Sequence, residues 1–296
     1  MIPLMAEAGV EGDRASTPFL IGWKEGIPMM DDHMYRWPQY YDWTSDGLDG
    51  DVTYYAHLAM ESGGPVLELG CGTGRCSLGM ARHGIEVVGV DRQPEMIQTA
   101  QKKAEAMGLD RQCQWVCGDM TQLQLGRRFP LVVIPYRSFL HLLRVKDQLD
   151  TLRTIRDHLT EDGLLAFNLF VPDLAQMVEE DERLVNRGQF PIPGTREVVE
   201  VHDYMEYDHF YQQASVIRYY ERFSAEGVSL ERLRTSFAMR YIFPTELFHL
   251  LDRAGFHVVK RYGGFRGEPF GPGSEELVVE AKPAHEGRAG EPAPDG

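Results

Sequence analysis

Three glycines within one short segment constrain this chain more than any other feature. The segment runs Glu68-Leu-Gly70-Cys-Gly72-Thr-Gly74, and it joins a short apolar run to a stretch with helical periodicity. Glycine lets the backbone approach a ligand closely, and the N-terminus of a following helix offers free N–H groups. The segment therefore predicts a strand, a ligand-binding loop and a helix in that order.

An acidic residue follows the glycine loop at an informative distance. Asp91 ends the next apolar run and stands 91 − 70 = 21 residues beyond Gly70. A carboxylate at the end of the second strand commonly accepts hydrogen bonds from the ribose hydroxyls of an adenosine. The loop and the acid together predict a site for an adenine nucleoside, and a tight glycine turn without a ligand is the alternative.

Two details favour S-adenosylmethionine (SAM) over a dinucleotide as this ligand. The glycines are spaced G-x-G-x-G, whereas dinucleotide-binding loops use G-x-G-x-x-G. We place Glu68 at the rim of the loop, where its charge would oppose a pyrophosphate and suit an ammonium group. SAM combines an adenosine with a free amino acid end and carries no phosphate. We therefore expect SAM as the cofactor.

Apolar runs and amphipathic segments alternate along most of the chain. The predicted strands are 65–69, 86–91, 112–117, 131–134, 164–170, 257–262 and 276–281. Helical stripes lie between them, one carrying Met96, Ala100 and Ala104, and another opening at Pro244 and closing at Gly255. Strands that are apolar on both faces indicate a parallel sheet covered by helices on both sides. The predicted fold class is a doubly wound α/β domain.

Residues 171–243 interrupt this alternation. They are rich in Tyr, Val, Arg and Glu, with a period of two around Val199, Ile217 and Leu233 and a turn at Gly227. We interpret them as an antiparallel β meander inserted into the α/β domain.

One face of the middle predicted strand carries charged and aromatic residues in alternation. It carries Arg218, Tyr220 and Arg222, which could bind an anionic acceptor. Alternating charge on a meander is usually solvated, so we expect a surface that faces solvent or another subunit. The aromatic meander is also a candidate homodimer surface.

The charge balance limits the partners. The 296 residues include 30 Lys and Arg against 45 Asp and Glu, for a net charge of −15 and a pI near 5.1. Such a surface repels phosphate backbones and anionic lipids, so we expect neither nucleic-acid nor membrane binding. No apolar run is long enough to span a bilayer, and the N-terminus lacks a basic-then-apolar signal, which predicts a cytoplasmic protein.

The cysteines predict no metal site. The chain contains Cys71, Cys76, Cys113 and Cys117, which we place inside regular core structure. Their spacing is not that of zinc ligands, and no histidine pair stands at a ligand interval. We therefore expect reduced, structural thiols and no bound metal.

Composition divides the chain into four parts. Residues 1–30 are predicted to form a flexible N-terminal arm, and residues 283–296 a disordered tail. Residues 31–170 and 244–282 form the Rossmann-like ligand-binding domain. Residues 171–243 form the β-rich insertion, for which we expect a role as acceptor lid or dimerisation subdomain.

The motifs occur in the order that one enzyme class requires. VLELGCGTGR, VVGVD, CGDM and FPLVVIPYRSFLHL resemble the successive motifs of class I SAM-dependent methyltransferases over about residues 38–282. The resemblance implies a seven-stranded sheet whose last strand is antiparallel. The YYDW segment at 40–43, Ser138 with His141, and the β insertion look closest to small-molecule N-methyltransferases acting on glycine or on nucleotide-linked amino sugars.

The resemblance also implies roles for individual residues. Gly70, Gly72 and Gly74 would line the methionine end of the cofactor, Glu68 would help to fix its amino group, and Asp91 would take the ribose. The other implied cofactor contacts are Cys71 and Thr73 in the loop, Arg92 and Met96 beside the adenosine, Asp119 and Met120 at the adenine, and Tyr136 after the fourth strand.

Methyl transfer from a sulfonium is an in-line displacement, so the protein must chiefly align donor and acceptor and exclude water. Tyr41 is the first candidate for a lid over the methyl group, because its hydroxyl could orient an amine and its ring could shield the sulfonium. The alternative is an aromatic packed on the sheet. His141 lies just beyond strand four and is a candidate proton acceptor or SAM contact, or a helix-start histidine bonded to backbone. Arg137 is a candidate anchor for an acceptor carboxylate or phosphate.

These patterns predict a SAM-dependent methyltransferase for a small-molecule acceptor, with an amine nitrogen first and oxygen second. Acidic charge disfavours a nucleic-acid methyltransferase, and the chain has Ile134-Pro-Tyr-Arg137 where an N-P-P-[YF] segment would stand. An NAD-dependent oxidoreductase and a non-catalytic SAM-binding module are the alternatives from other classes.

Overall fold

The computed structural model describes residues 33–284. The predicted flexible arm, residues 1–30, lies outside the described residues, and so do residues 285–296 of the predicted tail. Pro283, which we assigned to that tail, instead ends the last strand of the larger sheet.

Eleven strands form two sheets within the described residues. In chain order they are β1 (Val66–Leu69), β2 (Val87–Asp91), β3 (Cys113–Cys117), β4 (Phe129–Ile134), β5 (Leu159–Phe170), β6 (Leu184–Pro191), β7 (Val198–Asp208), β8 (Gln213–Phe223), β9 (Ser229–Arg240), β10 (Phe256–Tyr262) and β11 (Glu276–Pro283). The larger sheet has the order β10-β11-β5-β4-β1-β2-β3. β11 runs antiparallel to both of its neighbours, and the remaining pairs are parallel. The predicted doubly wound sheet with an antiparallel last strand is confirmed.

Seven α-helices accompany the strands between residues 33 and 284. They are α1 (Pro38–Thr44), α2 (Asp51–Ser62), α3 (Arg75–Ala81), α4 (Pro94–Ala106), α5 (Val145–His158), α6 (Leu174–Glu180) and α7 (Pro244–Arg253). The predicted stripe of α4 is buried at Met96, Ala100 and Ala104, one turn apart from each other. Pro244 opens α7, and Gly255 follows its end with a φ of 78°, a conformation that glycine adopts without strain.

Helix α5 ends earlier than the apolar stripe suggests. The apolar stripe of Leu149, Leu152, Ile155 and Leu159 predicts a helix that continues to a stop at Gly163, but Leu159 is extended and begins β5. His158 lies at the junction, where its Nδ1 bonds to the Thr154 carbonyl at 2.8 Å and its Nε2 accepts the Leu125 N–H at 3.0 Å. A local side-chain hydrogen bond of this kind competes with the continuing helix, and apolar periodicity does not reveal it.

The insertion folds into a second sheet of four antiparallel strands, in the order β6-β7-β8-β9. We predicted three of these strands and missed β6. Its sequence, LVNRGQFP, mixes polar residues with Gly and Pro, and its burial alternates only between exposed and half-buried. An edge strand needs few apolar side chains, which makes it difficult to detect from alternation.

The arginine-rich face of the second sheet is turned inward, so the prediction of a solvated face is wrong. Tyr220 is fully buried, and its ring lies 5.1 Å from that of Tyr40 in α1. Arg218 donates two hydrogen bonds to Asp203, which is opposite it on β7, at 2.7 and 2.8 Å. Because α1 covers this face, its charges are paired within the protein.

The cysteines and helices of residues 33–284 add three observations. Cys71 and Cys76 are buried, Cys113 is half-buried and Cys117 is exposed, so the expectation that all four lie in the core is wrong for Cys117. No described helix has the length and apolar character needed to span a bilayer. No group of three or more His, Cys, Asp or Glu side chains in this range is arranged to hold a metal ion.

Candidate functional site

The structure explains in different ways why glycine stands at each of the three positions in the loop after β1. All have positive φ. A Cβ at Gly70 would stand 2.7 Å from the Ser138 Cβ, and one at Gly74 would stand 2.7 Å from the Trp115 ring. At Gly72 the nearest neighbour would be the Tyr41 ring at 4.0 Å. Packing thus requires two of the glycines, whereas Gly72 presents open backbone towards Tyr41.

Asp91 lies at the end of β2, next to this loop. Its Oδ2 accepts the Gly72 N–H at 2.8 Å, and its Oδ1 accepts the Gln93 N–H at 2.9 Å. Burial raises the pKa of Asp91, while these backbone N–H groups oppose the shift. The backbone N–H of Arg92 also acts on this carboxylate, whose two oxygens offer about four acceptor positions, so the carboxylate keeps capacity for a further hydrogen bond.

Glu68 lies behind the loop and not at its rim, which corrects the position assigned from the sequence. The side chain is only 2% exposed, and its Oε2 accepts the Ser77 hydroxyl of α3 at 2.5 Å. Burial raises the pKa of Glu68 to about 7, with Ser77 and Arg75 opposing the shift. Its carboxyl is therefore only partly ionised at neutral pH.

Thr73 joins the glycine loop to two helices. Its hydroxyl donates to Asp42 Oδ1 of α1 at 2.6 Å and accepts from Lys103 Nζ of α4 at 3.0 Å. Lys103 also pairs with Asp42 Oδ2 at 2.7 Å. We call Asp42, Thr73 and Lys103 the loop clamp, and sequence reasoning did not identify it because its members are far apart in the chain.

An aromatic cluster lies over the loop. The Tyr35 ring is edge-on to Tyr41 at 5.8 Å and to His141 at 5.3 Å, and Tyr136 is edge-on to Tyr41 at 6.5 Å. Arg75 lies over the Tyr136 ring at 5.2 Å. The predicted residues Tyr41, Tyr136 and His141 thus come together, and Tyr35, which the sequence analysis did not single out, connects them. The dense aromatic run around residues 35–43 was the one available indication.

His141 is held between the two sheets. Its Nε2 lies 2.6 Å from the Tyr35 hydroxyl, and its Nδ1 lies 3.0 Å from the carbonyl oxygen of Ala238 in β9. Burial lowers the pKa of His141 to about 4, and the Ala238 carbonyl opposes the shift. The imidazole is therefore neutral at physiological pH.

Arg137 follows Tyr136, and both residues have positive φ. Its guanidinium donates to Glu276 Oε1 from Nε, at 2.7 Å, and from Nη2, and it lies 5.5 Å from the Phe170 ring. Glu276 also accepts from Asn168 at 3.0 Å. The structure places Arg137 in an ion pair at the end of the sheet, which occupies the group we expected to anchor an acceptor.

The remaining predicted cofactor residues divide into two groups. Asp119 is half-buried and accepts the backbone N–H and the hydroxyl of Thr121 on one oxygen, and Met120 reaches to 3.6 Å from where a Gly70 Cβ would stand. Cys71 and Met96 are buried in the core, at 5% and 0% exposure, and Arg92 is exposed. The first group lies at the same sheet edge as the loop. Cys71 and Met96 are covered by the core, whereas Arg92 is open to solvent next to Asp91.

Comparison with known proteins shows similarity to methyltransferases. Residues 66–163 match a family model described as a methyltransferase domain. A putative methyltransferase of Geobacillus sp. (strain WCH70) is 36% identical over 104 residues, which cover 35% of this chain and 41% of that protein. The cypemycin N-terminal methyltransferase of a Streptomyces species is 28% identical over 244 residues, which cover 81% of this chain and 92% of that protein.

A solved structure extends the similarity to the insertion. The CcbJ methyltransferase from Streptomyces caelestis is 25% identical, with a TM-score of 0.69, and the alignment covers 86% of this chain and all of that one. A match to a ribosomal RNA methyltransferase of Shewanella amazonensis spans only 22% of this chain. The prediction of a methyltransferase is confirmed at the level of the domain: residues 66–163 match a methyltransferase domain, and the fold is similar to that of a solved methyltransferase.

Proposed function

We propose that this methyltransferase transfers the methyl group of SAM to the amine nitrogen of a small molecule. The observation that carries the proposal is the cluster of Tyr35, Tyr41, Tyr136 and neutral His141 over the glycine loop. Aromatic faces attract cations, and both the sulfonium donor and a methylated ammonium product are cationic. A neutral enclosure of this kind suits that reaction better than a set of charged side chains.

The donor site that we propose lies at the ends of β1 and β2. The backbone at Gly72 is open, and a side chain there would meet only Tyr41. Asp91 ends β2 beside the loop, where its carboxylate can accept a ribose hydroxyl, and Asp119 and Met120 lie at the same edge for the adenine. Tyr136 and Tyr41 close the side opposite the loop. These residues fit an adenosine that carries an amino acid end.

The side chains contribute orientation and exclusion of water rather than covalent chemistry. SAM, when bound, supplies a methyl group whose bond to sulfur breaks as the bond to nitrogen forms, with the electron pair remaining on sulfur. Tyr41 shields this region from water from its position over Gly72. Holding donor and acceptor in line can account for roughly 7–11 kcal/mol of the barrier. An amine that enters in its neutral form needs no base.

The second sheet borders the proposed acceptor site. Ala238 of β9 holds His141, and Tyr220 of β8 packs on Tyr40 in α1. The similarity to the cypemycin N-terminal methyltransferase, which covers 81% of this chain and therefore more than the methyltransferase domain, supports an amine acceptor. The net charge of −15 favours a small molecule over a nucleic acid. Dimerisation through the meander stays a prediction.

Two measurements test the proposal. Calorimetric titration should show micromolar binding of SAM and S-adenosylhomocysteine and none of NAD; binding of NAD alone would make the protein an oxidoreductase. The protein is then incubated with SAM and one candidate acceptor at a time: glycine, glucosamine, tyramine, tetra-alanine or catechol. Mass spectrometry detects and locates the added methyl group. We expect methylation on nitrogen. Methylation of catechol alone would indicate an oxygen acceptor, and binding without any turnover would indicate a SAM-binding module.

A further inference from the structure

Two hydrogen bonds link Ala238, His141 and Tyr35, and the chemistry of these groups determines which one is the donor in each bond. The Ala238 carbonyl oxygen can only accept, so His141 Nδ1, 3.0 Å away, must carry a hydrogen and donate it. A neutral imidazole has a single N–H, which leaves Nε2 with a lone pair. The Tyr35 hydroxyl, 2.6 Å from Nε2, must then be the donor. The only hydroxyl hydrogen of Tyr35 is committed to His141.

The surroundings keep both groups neutral. His141 faces Tyr35, the Phe237 ring at 6.2 Å and, more weakly, His33, which also lowers its pKa. Burial raises the pKa of Tyr35 well above its usual value, and Arg218 opposes the shift. The other groups that act on Tyr35 are Asp91, Tyr136 and Tyr220, all of which raise its pKa. Arg218 is itself paired with Asp203.

Tyr35 stands on the acceptor side of the lid. Its ring packs edge-on against Tyr41, and Tyr41 is the side chain nearest to the open backbone of Gly72. The charge of Asp91, at the proposed ribose position, is one of the causes that raise the pKa of Tyr35. We therefore place the Tyr35 hydroxyl, which lies 2.6 Å from His141 Nε2, beside the point where donor and acceptor would meet.

We propose that the Tyr35 oxygen binds the acceptor as a hydrogen-bond acceptor only, and that His141 is the positioning residue that fixes this polarity. The inference rests on the proposed function. An acceptor nitrogen must then bring an N–H to Tyr35 while its lone pair points at the methyl group. Primary and secondary amines satisfy both conditions, and a tertiary amine has no N–H to offer. Successive transfers therefore end at the tertiary amine.

The reaction balances without a proton sink in the protein. The nitrogen lone pair forms the N–C bond, the S–C bond breaks, and its electron pair remains on sulfur. The product leaves as an ammonium that retains its N–H on Tyr35 and loses a proton in water. His141 keeps its single N–H throughout. A second proton could bind only at the Nε2 lone pair, which already accepts the Tyr35 hydroxyl.

Nuclear magnetic resonance of the free protein tests the hydrogen-bond direction. Protein labelled with ¹⁵N-histidine is compared with a His141→Gln variant to assign the His141 ring at pH 7. We expect a neutral ring with hydrogen on Nδ1, and a Nε2 resonance that moves in Tyr35→Phe because its hydrogen bond is lost. A ring with hydrogen on Nε2, or one protonated on both nitrogens, would overturn the inference whatever the enzyme does.

Kinetics and product counting test the consequence. With an amine that the protein methylates, Tyr35→Phe and His141→Leu should each lower kcat/KM for the amine by about tenfold or more, while SAM affinity changes less than about twofold. His141→Gln keeps one acceptor and one donor at the ring positions and should recover most of the loss. If His141 had a purely structural role, His141→Gln and His141→Leu would lose kcat/KM equally.

The number of methyl groups separates this inference from the function on which it rests. We expect mass increases for one and two methyl groups from a primary amine, and none from its N,N-dimethyl derivative. A trimethylated product would contradict the role of Tyr35 and leave the N-methyltransferase function intact. If no amine is methylated, the proposed function is wrong. The resonance measurement would still show which group donates in the hydrogen bond between Tyr35 and His141.

Discussion

Asp91 holds the glycine loop through the N–H of Gly72, which its Oδ2 accepts at 2.8 Å. The acid that we assign to the ribose therefore also stabilises the loop. Asp91→Ala should abolish measurable SAM binding and lower Tm, because both contributions disappear. Asp91→Asn keeps an acceptor oxygen for Gly72, so we expect a smaller loss of Tm and about tenfold weaker binding. Calorimetry and thermal unfolding measure the two effects, and equal losses of Tm in both variants would contradict the loop role.

The loop clamp should couple α1 to the glycine loop. Thr73→Val removes the hydroxyl between Asp42 and Lys103, and we expect a loss of about 1–2 kcal/mol in the free energy of unfolding. Cleavage by protease before α2 should become faster, since α1 loses one attachment. The matched control is Thr99→Val, whose hydroxyl bonds only to the Glu95 carbonyl within α4. A cleavage rate that rises equally in the control would disprove the clamp.

Glu68 should make stability depend on pH in a particular direction. Its pKa of about 7 in the folded protein lies above the usual 4.5, so it contributes stability that is present below pH 4.5 and is lost as the pH rises through 7. This loss should amount to something on the order of 3 kcal/mol. In Glu68→Gln the loss is absent, so the variant should gain relative to the wild type between pH 5 and 8. Chemical denaturation across this range measures the difference, and a constant difference would contradict the raised pKa.

Gly74 should tolerate a side chain less well than Gly84. Both have positive φ, 85° and 78°, so alanine costs about 1–2 kcal/mol at either position. At Gly74 a Cβ would also stand 2.7 Å from the Trp115 ring, whereas nothing lies within 4 Å at Gly84. We expect Gly74→Ala to lose about 1–3 kcal/mol more than Gly84→Ala, as overpacking usually does. Denaturation in guanidinium gives both values; similar losses would show that Trp115 moves freely.

The sequence predicts the larger sheet well, because its order follows from local features. Glycine spacing, a distal acid and strands apolar on both faces each depend on short segments, and they agree with one another. The missed features depend on contacts between distant segments. The sequence places Glu68 at the rim of the loop because it does not show the contact with Ser77 of α3. It predicts a solvated Arg218 because it does not show that α1 packs on the same face through Tyr40.

The candidate site shows the same limit more sharply. Tyr41, Tyr136 and His141 follow from their positions beside recognisable motifs, and the structure brings them together. Tyr35 has no motif, and its importance comes from a contact with His141, 106 residues away. Similarly, nothing near Arg137 indicates that Glu276 of the last strand is its partner.

Helix α1 has only seven residues, yet it is attached to both halves of the site. Asp42 accepts the hydroxyl of Thr73 in the glycine loop, and two residues earlier Tyr40 packs on Tyr220 of the second sheet. A rigid helix of this length cannot shift at one attachment without shifting at the other. Occupation of the donor loop and occupation of the acceptor side therefore share one free-energy term, and linkage makes it reciprocal. By whatever factor one ligand tightens the binding of its counterpart, the counterpart tightens the first by the same factor.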